Sequence, residues 1–191
     1  MKTATKRRKS ATEGVTFRLP SDNLEQLCKE AETRQISVNT LVNQIVNEHL
    51  DWHLYAAQAK LYYVPKPFIA RILEKFTEQQ LSDLAKASAK KDFVDIGLLL
   101  RGEFTMSSFL SILENWSRIS DIPYRAEEID NTQKIIIEHN MGSKYSYLFK
   151  EIYRLLLEDS FETKAKFDTT DNTIVLTFDQ EARPLEKETE C

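Results

Sequence analysis

Residues 15–19, VTFRL, alternate apolar and polar side chains and stop at Pro20. A period of two over such a run is the pattern of a half-buried strand. Pro20 has no N–H to give to a ladder, so it closes the strand. The next 30 residues offer no second strand, because their apolar residues recur at helical spacing. A single strand would leave unpaired N–H and C=O groups along both edges. The simplest partner is the same strand of a second copy, forming a two-stranded antiparallel ribbon. A homodimer is therefore expected before any function is considered.

Ser21 is positioned to cap a helix over residues 23–35, where Leu24, Leu27, Cys28 and Ala31 form one apolar stripe. Ser37 caps a second helix, with Leu41, Val42, Ile45, Val46 and Leu50 on its inner side. The string RLPSDNLEQL followed by ISVN resembles the ribbon-helix-helix DNA-binding repressors of the Arc, MetJ and CopG type. The shared features are Arg-apolar-Pro at the strand end and Ser-Val-Asn at the start of the second helix. They cover about a quarter of the chain. The resemblance implies a homodimer, or a tetramer on DNA, whose β-ribbon lies in the major groove of double-stranded DNA. Gly14, Thr16 and Arg18 then face the bases. Arg18 can donate two hydrogen bonds to guanine O6 and N7, and Thr16 can meet a base edge or a thymine methyl. Gly14 stands where many relatives carry a third reading side chain. Ser37, Val38 and Asn39 map to the family's phosphate anchor, where the free N–H groups of a helix start meet an anion.

The net charge of −4 hides an asymmetry: residues 1–10 carry +5 and the remainder −9. Lys6, Arg7, Arg8 and Lys9, beside the reading strand, suit phosphate contacts. The expected organisation is a basic disordered arm (1–12), a ribbon-helix-helix module (13–54), a helix extension and linker ending in the Pro65/Pro67 break (55–66), an α+β domain (67–182) and a polar tail (183–191). There is no run of 18 apolar residues, no apolar core for a secretory signal and no disulfide framework, so the expectation is a cytoplasmic, nucleoid-associated protein with no membrane partner.

Within 67–120 the spacing predicts three helices. The first has a stripe of Phe68, Ile69, Ile72, Leu73 and Phe76. The second opens on the capping box Thr77-Glu-Gln-Gln80 and continues to Arg101-Gly102. The third starts at Thr105 or Ser107 and carries Trp116 as a core anchor. Residues 121–179 read as ββαββ: strands 124–129 and 133–139, a helix over 145–157, then strands 163–167 and 173–178 around a turn at 168–172. The fold class is thus α+β: a dimerising ribbon-helix-helix module, a helical segment, and an antiparallel sheet with helices on one face.

His49 and His53 have metal-ligand spacing on a helix, but no third His or Cys lies nearby, and neither a metal nor another cofactor is expected. The string His139-Asn140-Met141-Gly142-Ser143-Lys144 joins a strand to a helix start. It reads first as a turn with a hydrogen-bonded histidine. His139, Asn140, Gly142, Ser143 and Lys144 are also the corner at which an anion or small-molecule effector could be received. No phosphate loop, nucleophile elbow or metallohydrolase motif is present, so no enzyme is expected. The expected function is a sequence-specific transcriptional regulator, a repressor, whose second domain senses a ligand or adds subunit contacts. The alternatives are an antitoxin bound to a toxin partner and a non-specific architectural DNA binder.

Overall fold

The computed structural model describes residues 13–179. The arm and the polar tail expected from sequence lie outside these residues. The chain divides into two compact units, Met1–Val46 and Asn47–Cys191. That division falls upstream of the junction the prolines suggest at 55–66.

The first unit contains α1 (Ser21–Thr33) and the start of α2 (Val38–Glu48). Helical bonding begins one step earlier than the capping pattern implies. The Leu24 N–H donates to Pro20 O at 3.1 Å, which makes Pro20 the N-cap and Ser21 the first helical residue. Ser21 therefore does not cap the helix; its hydroxyl lies 3.4 Å from Asp22 Oδ1. Gln35 takes a left-handed conformation (φ 55°) and ends α1. Ile36 N–H donates to Ala31 O and Gln35 N–H to Glu32 O, each at 3.0 Å, the two bonds of a Schellman turn. Ser37 does cap α2, its Oγ accepting from Thr40 N–H at 3.0 Å. Ala31 and Leu41 are almost fully buried.

Of the other residues in the expected stripes, Leu27, Cys28 and Val42 are half-buried and the rest are open. Residues 13–20 belong to no ladder among the described residues. Val15 and Phe17, expected to face a core, are 71% and 66% exposed in the single chain. Leu19, Leu24, Ile45 and Val46 are also exposed.

In the second unit, helical structure continues from α2 through a π-helical turn (His49–His53) into α3 (Leu54–Ala56). Leu54 N–H reaches back to His49 O, the five-residue spacing of a π turn. A second Schellman turn, with Lys60 left-handed and Leu61 N–H donating to Ala56 O at 2.9 Å, ends this run. Then come α4 (Lys66–Leu73), α5 (Glu78–Ser88), a second π turn (Ala89–Phe93), α6 (Val94–Arg101) and α7 (Met106–Ile119). The second of the three expected helices is thus split by a π turn. Its capping box is present: Thr77 Oγ1 accepts from Gln80 N–H and Gln80 Oε1 from Thr77 N–H. Thr105, not Ser107, caps α7.

The sheet has four antiparallel strands in the order β1-β2-β4-β3: β1 (Tyr124–Ile129), β2 (Thr132–Glu138), β3 (Ala165–Thr169) and β4 (Thr173–Asp179). Asp130 and Asn131, both at positive φ, make the tight β1–β2 turn. The second hairpin loop is shorter than the sequence suggests. Asp168 and Thr169 pair with Val175 and Ile174, and Thr170 Oγ1 accepts the N–H groups of Asn172 and Thr173. The helix between the hairpins, α8 (Ser143–Phe161), is longer than 145–157 at both ends. It packs against α5, β3 and β4. Ile135, Ile137, Ile174, Leu176 and Phe178 point into the core, whereas Arg125, Lys134, Lys166 and Asp168 are exposed, so the sheet has one covered face and one wet face.

Gly97, buried in α6, allows the ring of Phe104 to lie against its Cα; a Cβ there would fall within contact of Phe104 Cδ2 and Cε2. Gly97→Ala is therefore expected to destabilise the protein by about 1–3 kcal/mol in urea unfolding, with partial recovery in the Gly97→Ala/Phe104→Leu double variant. An unchanged midpoint in the single variant would show that the two groups do not approach so closely.

Candidate functional site

Three places bear on function. The first is in the first unit. Gly14, Thr16 and Arg18 are all exposed, on the segment that has no ladder partner, and nothing crowds the Cα of Gly14. At the start of α2, Ser37 takes up the Thr40 N–H by its side chain and the Leu41 N–H by its carbonyl. Among the described residues, the N–H groups of Val38 and Asn39 have no partner, and they carry the positive end of the helix dipole. With Ser37, these two residues make up the phosphate anchor that the family resemblance implies. Lys6, Arg7, Arg8 and Lys9 lie outside the described residues.

The second place is the corner between β2 and α8. His139 is 1% exposed and uses both ring nitrogens. Met141 N–H donates to Nδ1 at 3.0 Å, so Nε2 carries the proton and donates to Ser146 Oγ at 2.8 Å. Ser146 Oγ in turn donates to Thr170 O at 2.6 Å. The relay ties the end of β2, the first turn of α8 and the β3–β4 loop together. Asn140 and Gly142 take positive φ to make the turn, and Ser143 and Lys144 open α8. The Glu74 carboxylate comes near the helix start: its Oε1 lies 3.6 Å from where a Cβ on Gly142 would be. A carboxylate there disfavours a second anion, and the His139 ring is turned inward to the relay.

The third place was not singled out in the sequence. It is an apolar cavity of about 270 Å³ within the second unit. Trp52, Phe93, Phe104, Trp116, Phe149 and Tyr153 form much of its wall, with Tyr62 and Tyr63 exposed at its mouth. Phe149 is the hub of an aromatic cluster. It stacks on Tyr145 (centroids 4.3 Å apart, planes at 24°) and on Trp116 (5.9 Å, 14°), and meets Phe93 edge-on at 6.5 Å. No lining side chain carries a formal charge. The Tyr153 phenol is held far above its ordinary pKa, first by burial and then by the neighbouring Tyr124, so it stays neutral. A closed void of this size would cost on the order of 6 kcal/mol at about 24 cal/mol per Å³. The open mouth lowers that figure by admitting water over part of the wall.

His53, one of the two helical histidines, is turned to this mouth. Its Nδ1 accepts from the Tyr63 hydroxyl at 2.9 Å, and its Nε2 donates to Glu48 Oε1 at 3.2 Å. Its partners are thus a phenol and a carboxylate rather than His49. Among the described residues, no group of three or more His, Cys, Asp or Glu side chains is arranged to hold a metal, and no single helix is long and apolar enough to cross a membrane. No protein-family model matches the chain, and no curated protein matches it either.

Burial lowers the His139 pKa to about 4. Between that value and the ordinary value of about 6.5 the unfolded chain binds the proton and the folded chain does not. The stabilisation is therefore full above about pH 6.5 and is lost as pH falls toward 4, by on the order of 3 kcal/mol in all. Urea unfolding of the wild type and His139→Gln across pH 4–7 is expected to show a shallower acid slope in the variant. Parallel slopes would mean that His139 does not titrate on unfolding.

Proposed function

We propose that this chain is a sequence-specific DNA-binding transcriptional regulator that acts as a homodimer, with its second unit serving as a sensing or oligomerisation module. The observation that supports the reading is the first unit's exposed apolar segment before α1. Val15, Phe17 and Leu19 alternate with Thr16 and Arg18, end at a proline, and are exposed among the described residues. An apolar surface of this kind favours a partner. A second copy of the same segment would bury those three residues and pair the backbone. The same step would leave Thr16 and Arg18 on the open face of a two-stranded ribbon, a shape that enters a major groove. The unpartnered N–H groups of Val38 and Asn39 suit a DNA phosphate on either side. The second unit has its own four-stranded sheet and core, which favours a sensor over the short tail of an antitoxin.

Two variants separate assembly from reading. Phe17→Glu places a charge in the ribbon core, so sedimentation is expected to show a monomer that has lost affinity for all duplexes. Arg18→Ala is expected to remain dimeric and to lose about 1–3 kcal/mol per base contact on the selected operator. Its binding to random duplex falls only by the charge it no longer brings, about 0.9 in the salt slope for each phosphate it ceases to neutralise. A dimeric Phe17→Glu protein with normal DNA binding, or an Arg18→Ala protein with unchanged sequence preference, would overturn the ribbon assignment.

A further inference from the structure

The second unit contains two π-helical turns, His49–His53 and Ala89–Phe93, and both direct an aromatic residue to the same cavity: Trp52 from the first and Phe93 from the second. A π turn is a poor local solution, kept where the extra residue re-aims a side chain, and such turns are frequent at functional sites. Two of them converging on one space, from helices distant in sequence, points to selection of the shape of that space. The chain's only two tryptophans, Trp52 and Trp116, both line it.

We propose that this cavity is the binding site for a neutral, flat, aromatic small molecule of roughly two fused rings. The size follows from volume: an engineered cavity of about 150 Å³ takes up benzene, and this one offers about 270 Å³. The flat shape follows from the walls, which are built mostly of aromatic rings (Trp52, Phe93, Phe104, Trp116, Phe149 and Tyr153) that a planar guest can meet by stacking or edge contact. Neutrality follows from the lining, which has no charged side chain to compensate the desolvation of an ion. The hydroxyls of Ser120, Tyr62 and Tyr63 give a polar substituent places to bond. The Tyr62-Tyr63 segment stands at the mouth, with Tyr63 tethered to His53 by the 2.9 Å hydrogen bond. This site gives the sensing role of the proposed regulator a location. It rests on the geometry of the second unit alone, so failure of the DNA reading would leave it standing.

The test uses the full-length protein and 2-bromonaphthalene, whose bromine quenches indole fluorescence on contact. Saturable quenching with one molecule per chain is expected. 2-Naphthoate, with the same rings and a negative charge, is expected to bind at least tenfold more weakly. Ala56→Phe, which fills the cavity from its wall, should weaken 2-bromonaphthalene at least tenfold with an unchanged far-UV circular dichroism spectrum. If that variant does not fold, the single-tryptophan proteins Trp52→Phe and Trp116→Phe decide, because the remaining indole must be quenched in each. Quenching that rises linearly to the solubility limit overturns the proposal. So does equal binding of 2-naphthoate, a folded Ala56→Phe protein that binds normally, or a single-tryptophan protein whose indole is untouched by bound ligand.

Discussion

Leu148, Ile152, Leu156 and Leu157 of α8 are sealed against α5 and the sheet, and the second unit depends on that contact. Each such side chain contributes about 1.5–3 kcal/mol on leaving water. On the sheet side α8 packs against β3 and β4, while the covered face of the sheet is supplied mainly by alternate apolar residues of the two central strands, β2 and β4. The edge strands β1 and β3 are correspondingly polar. The same helix then has a second duty. Phe149 and Tyr153 lie on it at four-residue spacing, and both reach the cavity. The position of the cavity is thus fixed by the best-packed element of the unit.

The two units differ in how far they complete themselves. The second covers one face of its sheet and leaves the other to charged residues, which is a stable arrangement for an antiparallel sheet in water. The first buries Ala31 and Leu41 but leaves six larger apolar side chains open: Val15, Phe17, Leu19, Leu24, Ile45 and Val46. Among the described residues, two helices and an unpaired segment do not enclose these side chains, because a helix hairpin has one internal face and the segment lies beside no strand. The contrast supports the proposal of association for the first unit and ligand recognition for the second.

Most elements were legible in the sequence where a local rule had one solution. The capping box at Thr77, the Asp130-Asn131 turn and the period of two in β4 each fix a boundary by their own chemistry, whereas the start of α7 stayed open between Thr105 and Ser107 because its box closes on Ser108 rather than on Glu or Gln. Helix ends were harder, for a physical reason. The left-handed positions that close α1, α3 and α7 are held by Gln35, Lys60 and Asp121 rather than by glycine, so the usual stop signal is missing. The π turns carry no sequence signature at all. Only the wider turns reveal that Trp52 and Phe93 share a target. The His139 corner was legible as unusual, but its inward relay depends on Ser146 and on Thr170, which only the fold brings to it. At the candidate DNA residues the local rules had mixed outcomes: Ser37 caps α2 as the sequence suggests, whereas the period of two over 15–19 forms no ladder among the described residues, because pairing needs a partner strand that the first unit's two helices do not supply.

Persistence of the cavity needs a reason, since interiors ordinarily collapse to crystal-like density. The rings around it cannot move inward independently. Phe149 is held between Tyr145 and Trp116, while Phe109 is held against Phe104, Tyr153 and Phe161. Turning any one of them into the space would break offset or edge contacts worth about 0.5–1.5 kcal/mol per pair. Phe104 is further fixed by the bare Cα of Gly97 beneath it. Rings are also stiff: unlike a methionine or leucine, they cannot bend a terminal methyl into a gap. A wall of mutually braced aromatics on a buried helix therefore keeps its shape when empty, and a flat guest entering it has little wall reorganisation to offset.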